Sequence, residues 1–256
     1  MGLVAAGGVA RSFLARMPAL LARLGPIKAA SYRVARRLVN QLKSGRAASH
    51  YSMLEPCPVI LVCVPEEHLS TVMLDMRAQI PLRQNIVVLC GCVRGSLSAG
   101  ALRAAGARVA SLNAVDQTGE RVFVAEGHPE ALRALRSLLA AEQRKLVEIR
   151  AEAKSLYWAG VNLASQLLIP WFAASVESLC AAGLSRAEAA SMTQALGAAA
   201  LRQWAKAGRK AWRGLSDPTL GHILEPETGS LQAADPRIAA LYTDMLRQAL
   251  EYFKEP

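Results

Sequence analysis

Gly2-Leu3-Val4-Ala5-Ala6-Gly7-Gly8-Val9-Ala10-Arg11-Ser12 reads as a short apolar strand, a glycine turn and the start of a helix. This is the order in which a chain cradles a pyrophosphate. A first small residue makes the tight turn, a second lets backbone approach the phosphates, and a third lets helix pack on strand. Here those places fall to Ala5, Gly7 and Ala10. Gly7 keeps the position where a side chain would collide with phosphate, Ala10 is an accepted variant of the third, and Ala5 departs from the pattern at the first. With Gly8 and Val9 completing the turn, Ala5, Gly7, Gly8, Val9 and Ala10 are the expected phosphate-side contacts.

Downstream, the chain alternates strand and helix signals. Val9 to Leu24 carries helical spacing up to Gly25-Pro26, Ile27 to Ser31 reads as a second strand, Tyr32 to Ser44 as a helix closed by Gly45, and Ala48 to Leu54 as a weak edge strand. Val59-Ile-Leu-Val-Cys-Val-Pro65 is apolar on both faces, as a central parallel strand must be. Glu66 to Gln79 returns as a helix, Asn85 to Cys90 as a strand, Leu97 to Ala105 as a helix, and Arg108 to Leu112 and Val122 to Glu126 as strands. A helix at Glu130 to Ala141 and a strand at Lys145 to Ile149 close the series. This pattern predicts an α/β fold with a doubly wound, mostly parallel sheet. Beyond Arg150 the strand signal ends. Residues 151–183 are expected as one long helix kinked at Pro170, 185–207 as a second capped by Ser185 ahead of Glu188, 208–236 as a Gly/Pro-rich loop, and 236–254 as an amphipathic helix. Two domains follow, 1–150 and an all-α 151–256.

Of the 256 residues 52% are hydrophobic, which excludes disorder. Five cysteines, odd in number and mostly in apolar runs, read as reduced core thiols, and a cytoplasmic setting follows. No metal-ligand spacing, Ser-His-Asp arrangement or carboxylate pair stands out. Arg11, Arg16 and Arg23 precede any carboxylate, yet the glycine turn is read as a first strand rather than part of a leader. Ser155 to Val176 is uncharged and long enough to span a bilayer. Asn162, Ser165, Gln166 and Pro170 dilute it, favouring a buried helix over a membrane span. The net charge of +10 is concentrated before Glu55, so an anionic partner is expected at that end. With no interleaved aromatics and no recognition motif, nucleic acid is the weaker candidate beside a phosphorylated cofactor.

The glycine turn, Val-Cys-Val-Pro65-Glu66-Glu67-His68, and the helical half opening with Lys154-Ser-Leu-Tyr157-Trp158-Ala159 together resemble the Rossmann-like proteins with a helical C-terminal domain of unknown function (DUF2520-like), relatives of pyrroline-5-carboxylate reductase and 6-phosphogluconate dehydrogenase. The resemblance implies a Rossmann sheet, cofactor contacts at Val64 and Pro65, a substrate cleft between the domains, and a homodimer built through the helical domain. It also implies a polar proton carrier on the first long helix. At that place the chain offers Lys154 and Tyr157 as catalytic candidates. Where relatives carry Tyr-His this sequence has Tyr157-Trp158, and where they carry His-Pro it has Asn113-Ala114. His68, Asn113, Trp158, Asn162 and Asp217 are the expected substrate-side residues.

After the second strand an acidic residue would bind free ribose hydroxyls, whereas cations accept a 2′-phosphate. Ser31, Tyr32, Arg33, Arg36 and Arg37, with no carboxylate near them, favour NADP over NAD; Ser31, Arg33 and Arg36 are the expected cofactor contacts, and Arg37 is read as an exposed helix residue. The expected function is an NADP-dependent oxidoreductase moving a hydride to or from a small carbonyl, imine or hydroxy acid. The alternative is an inactive nucleotide-binding sensor or scaffold.

Overall fold

The computed structural model describes the chain except residues 7, 116–121, 213–219 and 255–256; for 220–225 and 254 it describes the backbone alone. It forms two compact units, Met1–Gly160 and Val161–Pro256.

The first unit is an eight-stranded sheet: β1 (Gly2–Ala5), β2 (Pro26–Lys28), β3 (Arg46–Ala48), β4 (Val59–Cys63), β5 (Ile86–Cys90), β6 (Arg108–Ala114), β7 (Val122–Gly127) and β8 (Lys145–Glu148). Their spatial order is β3-β2-β1-β4-β5-β6-β7-β8. Every neighbouring pair is parallel except β6 with β7. The sheet is therefore mostly parallel and reverses order beside β1, which is where such folds open a crevice at the carboxyl ends of their strands.

Among the described residues six α-helices accompany the sheet: α1 (Val9–Leu14), α2 (Pro18–Leu21), α3 (Tyr32–Leu42), α4 (Glu66–Gln79), α5 (Gly100–Ala104) and α6 (Pro129–Ala141). Period-two alternation divides the core between the two faces of the sheet. Leu3, Leu61, Cys63, Val88 and Leu112 pack with Phe13, Leu14 and Leu135. Val4, Ile60, Val62, Val87 and Leu89 pack with Leu69, Met73 and Met76. Helices on both faces explain why β4 is buried at every residue.

Three local expectations are corrected in this unit. The helix expected over Val9–Leu24 is two short helices, because Pro18 has no N–H and pushes Met17 out of helical conformation, to φ −136°. The strand expected to run to Ser31 ends at Lys28, and Ser31 caps α3 by accepting a hydrogen bond from Val34 N. The edge strand expected over Ala48–Leu54 is β3 alone, limited by its three-residue partner β2, followed by a 3-10 turn at Tyr51–Leu54 that buries Tyr51 and Leu54.

The second unit is helical. α7 (Lys154–Leu163) starts in the first unit and ends in the second; α8 (Leu168–Ala181), α9 (Arg186–Ala207), α10 (Leu220–Ala234) and α11 (Pro236–Lys254) follow. Ser185 and Glu188 form both hydrogen bonds of a capping box at the start of α9. The single helix expected over 151–183 breaks at residues 164–167. Pro170 falls in the first turn of α8, where its missing N–H costs no intrahelical bond. The expected burial of this stretch is also corrected. Ala151–Ala181 is long and apolar enough to cross a membrane by length and composition, and none of its apolar window is buried within the chain. Leu156, Leu163, Leu167 and Ile169 are all exposed. The loop expected over 208–236 contains α10, which carries Pro226 within it, so Gly and Pro content misreads this segment.

Candidate functional site

The carboxyl ends of β1, β4, β5 and β6 bring together two groups of side chains, both in the first unit. At the β1 end, Ala6 N donates to Cys63 O at 3.1 Å, extending the pairing of β1 with β4. Gly8 is the N-cap of α1, and a Cβ built on it would meet nothing within 4 Å. Ala10 is fully buried in the core cluster that holds Leu3 and Cys63, so the third small residue does allow close helix–strand contact. Val9 packs partly buried against the same cluster. Gly7 lies outside the described residues. A cavity of about 220 Å³ opens here, lined by Ala5, Ala6, Arg11, Val34, Arg37, Leu38 and Gln41. Its wall holds two guanidinium groups and no carboxylate.

Arg33 and Arg36 are exposed on α3 and line a shallow groove of about 540 Å³ along that helix, together with Tyr32 and Asn40. Arg37 lines both hollows. One helical turn beyond Arg33, Arg37 is therefore the α3 cation at the β1 end, and Arg11 joins it from α1. The sequence reading names both as cations but gives the cofactor contacts to Arg33 and Arg36.

The second group surrounds Lys154, which is only 4% exposed. Ser111 and Asn113 stand two apart on β6 and so share a face of the sheet. Ser111 pairs directly with Glu126 across the antiparallel β6–β7 ladder. Lys154 Nζ donates to Ser111 Oγ at 2.9 Å and to Asn113 Oδ1. Ser111 Oγ in turn donates to Glu126 Oε1. The same carboxylate accepts from Ser96 N at 2.8 Å and from Ser96 Oγ at 2.6 Å. Asn113 Nδ2 donates to Cys92 O at 3.0 Å, which orients its amide toward the lysine. The loop after β5 is pinned from its other side by Glu66 at the start of α4, whose carboxylate accepts from Val93 N at 2.8 Å and Arg94 N at 3.1 Å.

Two glycines make this arrangement possible. A Cβ on Gly95 would sit 2.9 Å from Glu126 Oε1 and 3.1 Å from Lys154 Cγ. Gly127, at φ +137°, lies where a Cβ would come within 2.4 Å of Val109 O, and so fixes how β7 lies against β6.

Burial lowers the Lys154 pKa from its ordinary value, and Cys92, Glu126 and Glu66 oppose that shift. Burial likewise pushes the Cys92 thiol up to about 12, with Glu66 adding to the effect and Lys154 opposing it. Tyr157, raised by burial, and Trp158 pack edge to face with ring centroids 5.6 Å apart, and lie 5.8 and 6.0 Å from Lys154 Nζ. Trp158 Nε1 is buried and has no hydrogen-bond partner among the described residues.

Thus Lys154, Tyr157, Trp158 and Asn113 are brought together, and Asn113 is committed to Lys154 and the Cys92 carbonyl. Val64 is buried at the end of β4, and Pro65 is the N-cap of α4. His68 is exposed on the first turn of α4 and Asn162 is exposed near the end of α7, so neither joins this group. Asp217 lies outside the described residues. Glu126, Ser111 and Ser96 escape the sequence reading, and Cys92 enters it only as a core thiol. Their one signal is a carboxylate ending the apolar run Val-Phe-Val-Ala-Glu126, with Ser111 and Asn113 alternating against apolar neighbours.

The sequence profile of the domain of unknown function DUF2520 matches residues 121–248. No curated protein sequence matches the chain. Among solved structures, protein TM1727 from Thermotoga maritima is 19% identical with a TM-score of 0.70, covering 99% of both chains. An imine reductase from Aspergillus terreus, in complex with NADPH4 and a dibenzazepine, is 13% identical with a TM-score of 0.74, covering 98% of this chain and 93% of its own. An imine reductase variant from Myxococcus stipitatus, in complex with NAD+, is 12% identical with a TM-score of 0.70, with the same coverage. At these identities the likeness is one of fold.

Proposed function

The chain belongs to the DUF2520 family, and from that premise we propose that it is an NADP-dependent oxidoreductase acting on a small imine, carbonyl or hydroxy compound. The observation that carries the reading is the pairing, at one edge of one sheet, of a cation-lined hollow beside the glycine turn with a buried lysine held on two hydrogen bonds. The first suits a phosphate. The second suits a proton donor beside a polar double bond.

The residues present fit a nicotinamide dinucleotide. Open space over Gly8 leaves room for a pyrophosphate, and Arg11 and Arg37 offer forked donors for a ribose phosphate with no carboxylate to compete. Val64 and Pro65 close the β4 end of the crevice. When bound, NADPH supplies a hydride. The chain's own part is to hold the acceptor near Lys154, whose ammonium gives its proton to the nitrogen or oxygen as the double bond is reduced, becoming a neutral amine. Tyr157 and Trp158 wall the lysine with aromatic faces and keep water from it. The fold supports this reading too, being shared with imine reductases in complex with NADPH4 and with NAD+.

The protein works as a homodimer in this reading. Leu156, Leu163, Leu167 and Ile169 expose a run of apolar surface that a second copy would cover. Thermal melting with NADPH, NADH and no nucleotide tests the proposal. A ligand at one hundred times its Kd stabilises by about 2.7 kcal/mol, so NADPH should raise the melting temperature clearly above NADH, and Arg37→Ala should narrow the difference. NADPH stabilisation without oxidation across a panel of imines, aldehydes and keto acids would favour a sensor. No stabilisation by either nucleotide would end the proposal.

A further inference from the structure

We infer that Glu126, acting through the Ser111 hydroxyl, is the positioning residue that fixes the Lys154 side chain at the sheet edge and biases it toward the ammonium form. The inference rests on the reading of Lys154 as the proton donor.

It follows from a count of protons. A serine hydroxyl has one hydrogen to give, and Ser111 gives it to Glu126. The Ser111 oxygen can then only accept from Lys154 Nζ, 2.9 Å away. The Asn113 amide is turned in the same sense: its nitrogen is spent on Cys92 O, so its oxygen faces the lysine. Both partners therefore present acceptors. An ammonium has three donors, two of which are taken here, leaving one N–H for a ligand.

Glu126 is fully buried, and among the described residues it makes no direct ion pair. A lone carboxylate in that setting is costly unless donors and a nearby cation compensate it. Ser96 and Ser111 supply the donors, and Lys154, one hydroxyl away, supplies the charge. The other groups acting on Lys154 are Glu66 on α4, Cys92 on the loop after β5, and the Tyr157 and Trp158 rings on its own helix. Glu66 is already engaged by two backbone N–H groups, and the Cys92 thiol is held neutral by burial. Glu126 is thus the carboxylate linked to Lys154 by hydrogen bonds.

The test is the titration of Lys154 itself, followed by NMR in protein carrying 13Cε-lysine, with the resonance assigned by Lys154→Arg. In Glu126→Gln and in Ser111→Ala the midpoint should move to lower pH than in the wild type, and Glu126→Asp should recover part of the shift. An unchanged midpoint in Glu126→Gln, with only a lower melting temperature, would overturn the inference by making Glu126 a packing residue. Should Glu126→Gln fail to fold, Ser111→Ala decides alone. NADPH titration of the same wild-type sample, read by tryptophan fluorescence, separates the two ideas: no binding there removes the oxidoreductase reading, whereas the inference stands or falls on the midpoint.

Discussion

Gly95→Ala probes the Lys154 cluster with a single methyl group. Gly95 has φ −91° and ψ 178°, an extended conformation that alanine adopts without strain. By backbone entropy alone the substitution should stabilise the protein by about 0.4–1 kcal/mol. Any loss must therefore come from contact. The new Cβ would lie 2.9 Å from Glu126 Oε1, 3.1 Å from Lys154 Cγ and 3.3 Å from Lys154 Cβ. These atoms belong to buried residues anchored by hydrogen bonds, so they cannot swing aside cheaply. Overpacking of this kind costs about 1–3 kcal/mol. Loss of the Ser96 N bond to the same carboxylate oxygen would leave a buried group short of a donor, adding about 1–3 kcal/mol. At about 2–4 °C per kcal/mol for a chain of this size, the melting temperature should fall by on the order of 5–10 °C. Circular dichroism melts would measure it beside Gly100→Ala, where a Cβ meets nothing within 4 Å and no fall is expected. A Gly95→Ala protein melting at or above the wild type would refute the view that the loop closes tightly on Glu126 and Lys154.

Arg37→Ala should weaken NADPH about tenfold, the lower end for a charge-assisted hydrogen bond because the side chain is exposed, and leave NADH unchanged by calorimetry; equal losses for both would take Arg37 off the phosphate. Ser185→Ala removes half of the capping box and should cost about 1 kcal/mol in urea unfolding, and no loss would mean that α9 is held elsewhere. Hydrogen bonds from Arg237 hold the Asp235 pKa down to about 2 from 3.8, so its stabilisation of the α11 start is complete above pH 3.8 and is lost as pH falls through 2; the Arg237 amide resonance should follow that window. Burial lowers the Lys154 pKa below 10.5, so between its folded midpoint and 10.5 the unfolded chain binds the extra proton and stability rises with pH. Lys154→Met lacks that slope, and urea midpoints compared across alkaline pH should show the wild type gaining on it.

The sheet is legible because its central strands are buried on both faces and write themselves as continuous apolar runs, β4 and β5 above all. α4 and α11 were legible to the residue, since Pro65 and Pro236 punctuate their starts. α10 was not, because Pro226 and Gly229 count as breakers in any local reading and only tertiary contacts can outvote them. The site shows the same division. Lys154 is legible through the family resemblance, which implies a polar proton carrier at the start of the first long helix, and the turn through Ala10 by its small residues. Glu126 and Ser111 gave little warning, because what joins them is a pairing across two antiparallel strands, which sequence spacing does not encode. Arg37 reads from sequence as a solvated helix residue for another reason: helical geometry sets which of three neighbouring arginines reaches the β1 end, and local sequence does not show it.

Among the described residues, both hydrogen-bonding partners of the lysine ammonium, Ser111 and Asn113, come from before residue 150, while the lysine itself opens the helix that continues into the second unit. Anyone building chimaeras by exchanging the helical half for that of another protein therefore has a choice of seam with unequal results. Joining at 150 would hand over the ammonium and strand a sealed-in carboxylate behind it. Joining at 160 keeps the couple intact and transfers only the helices.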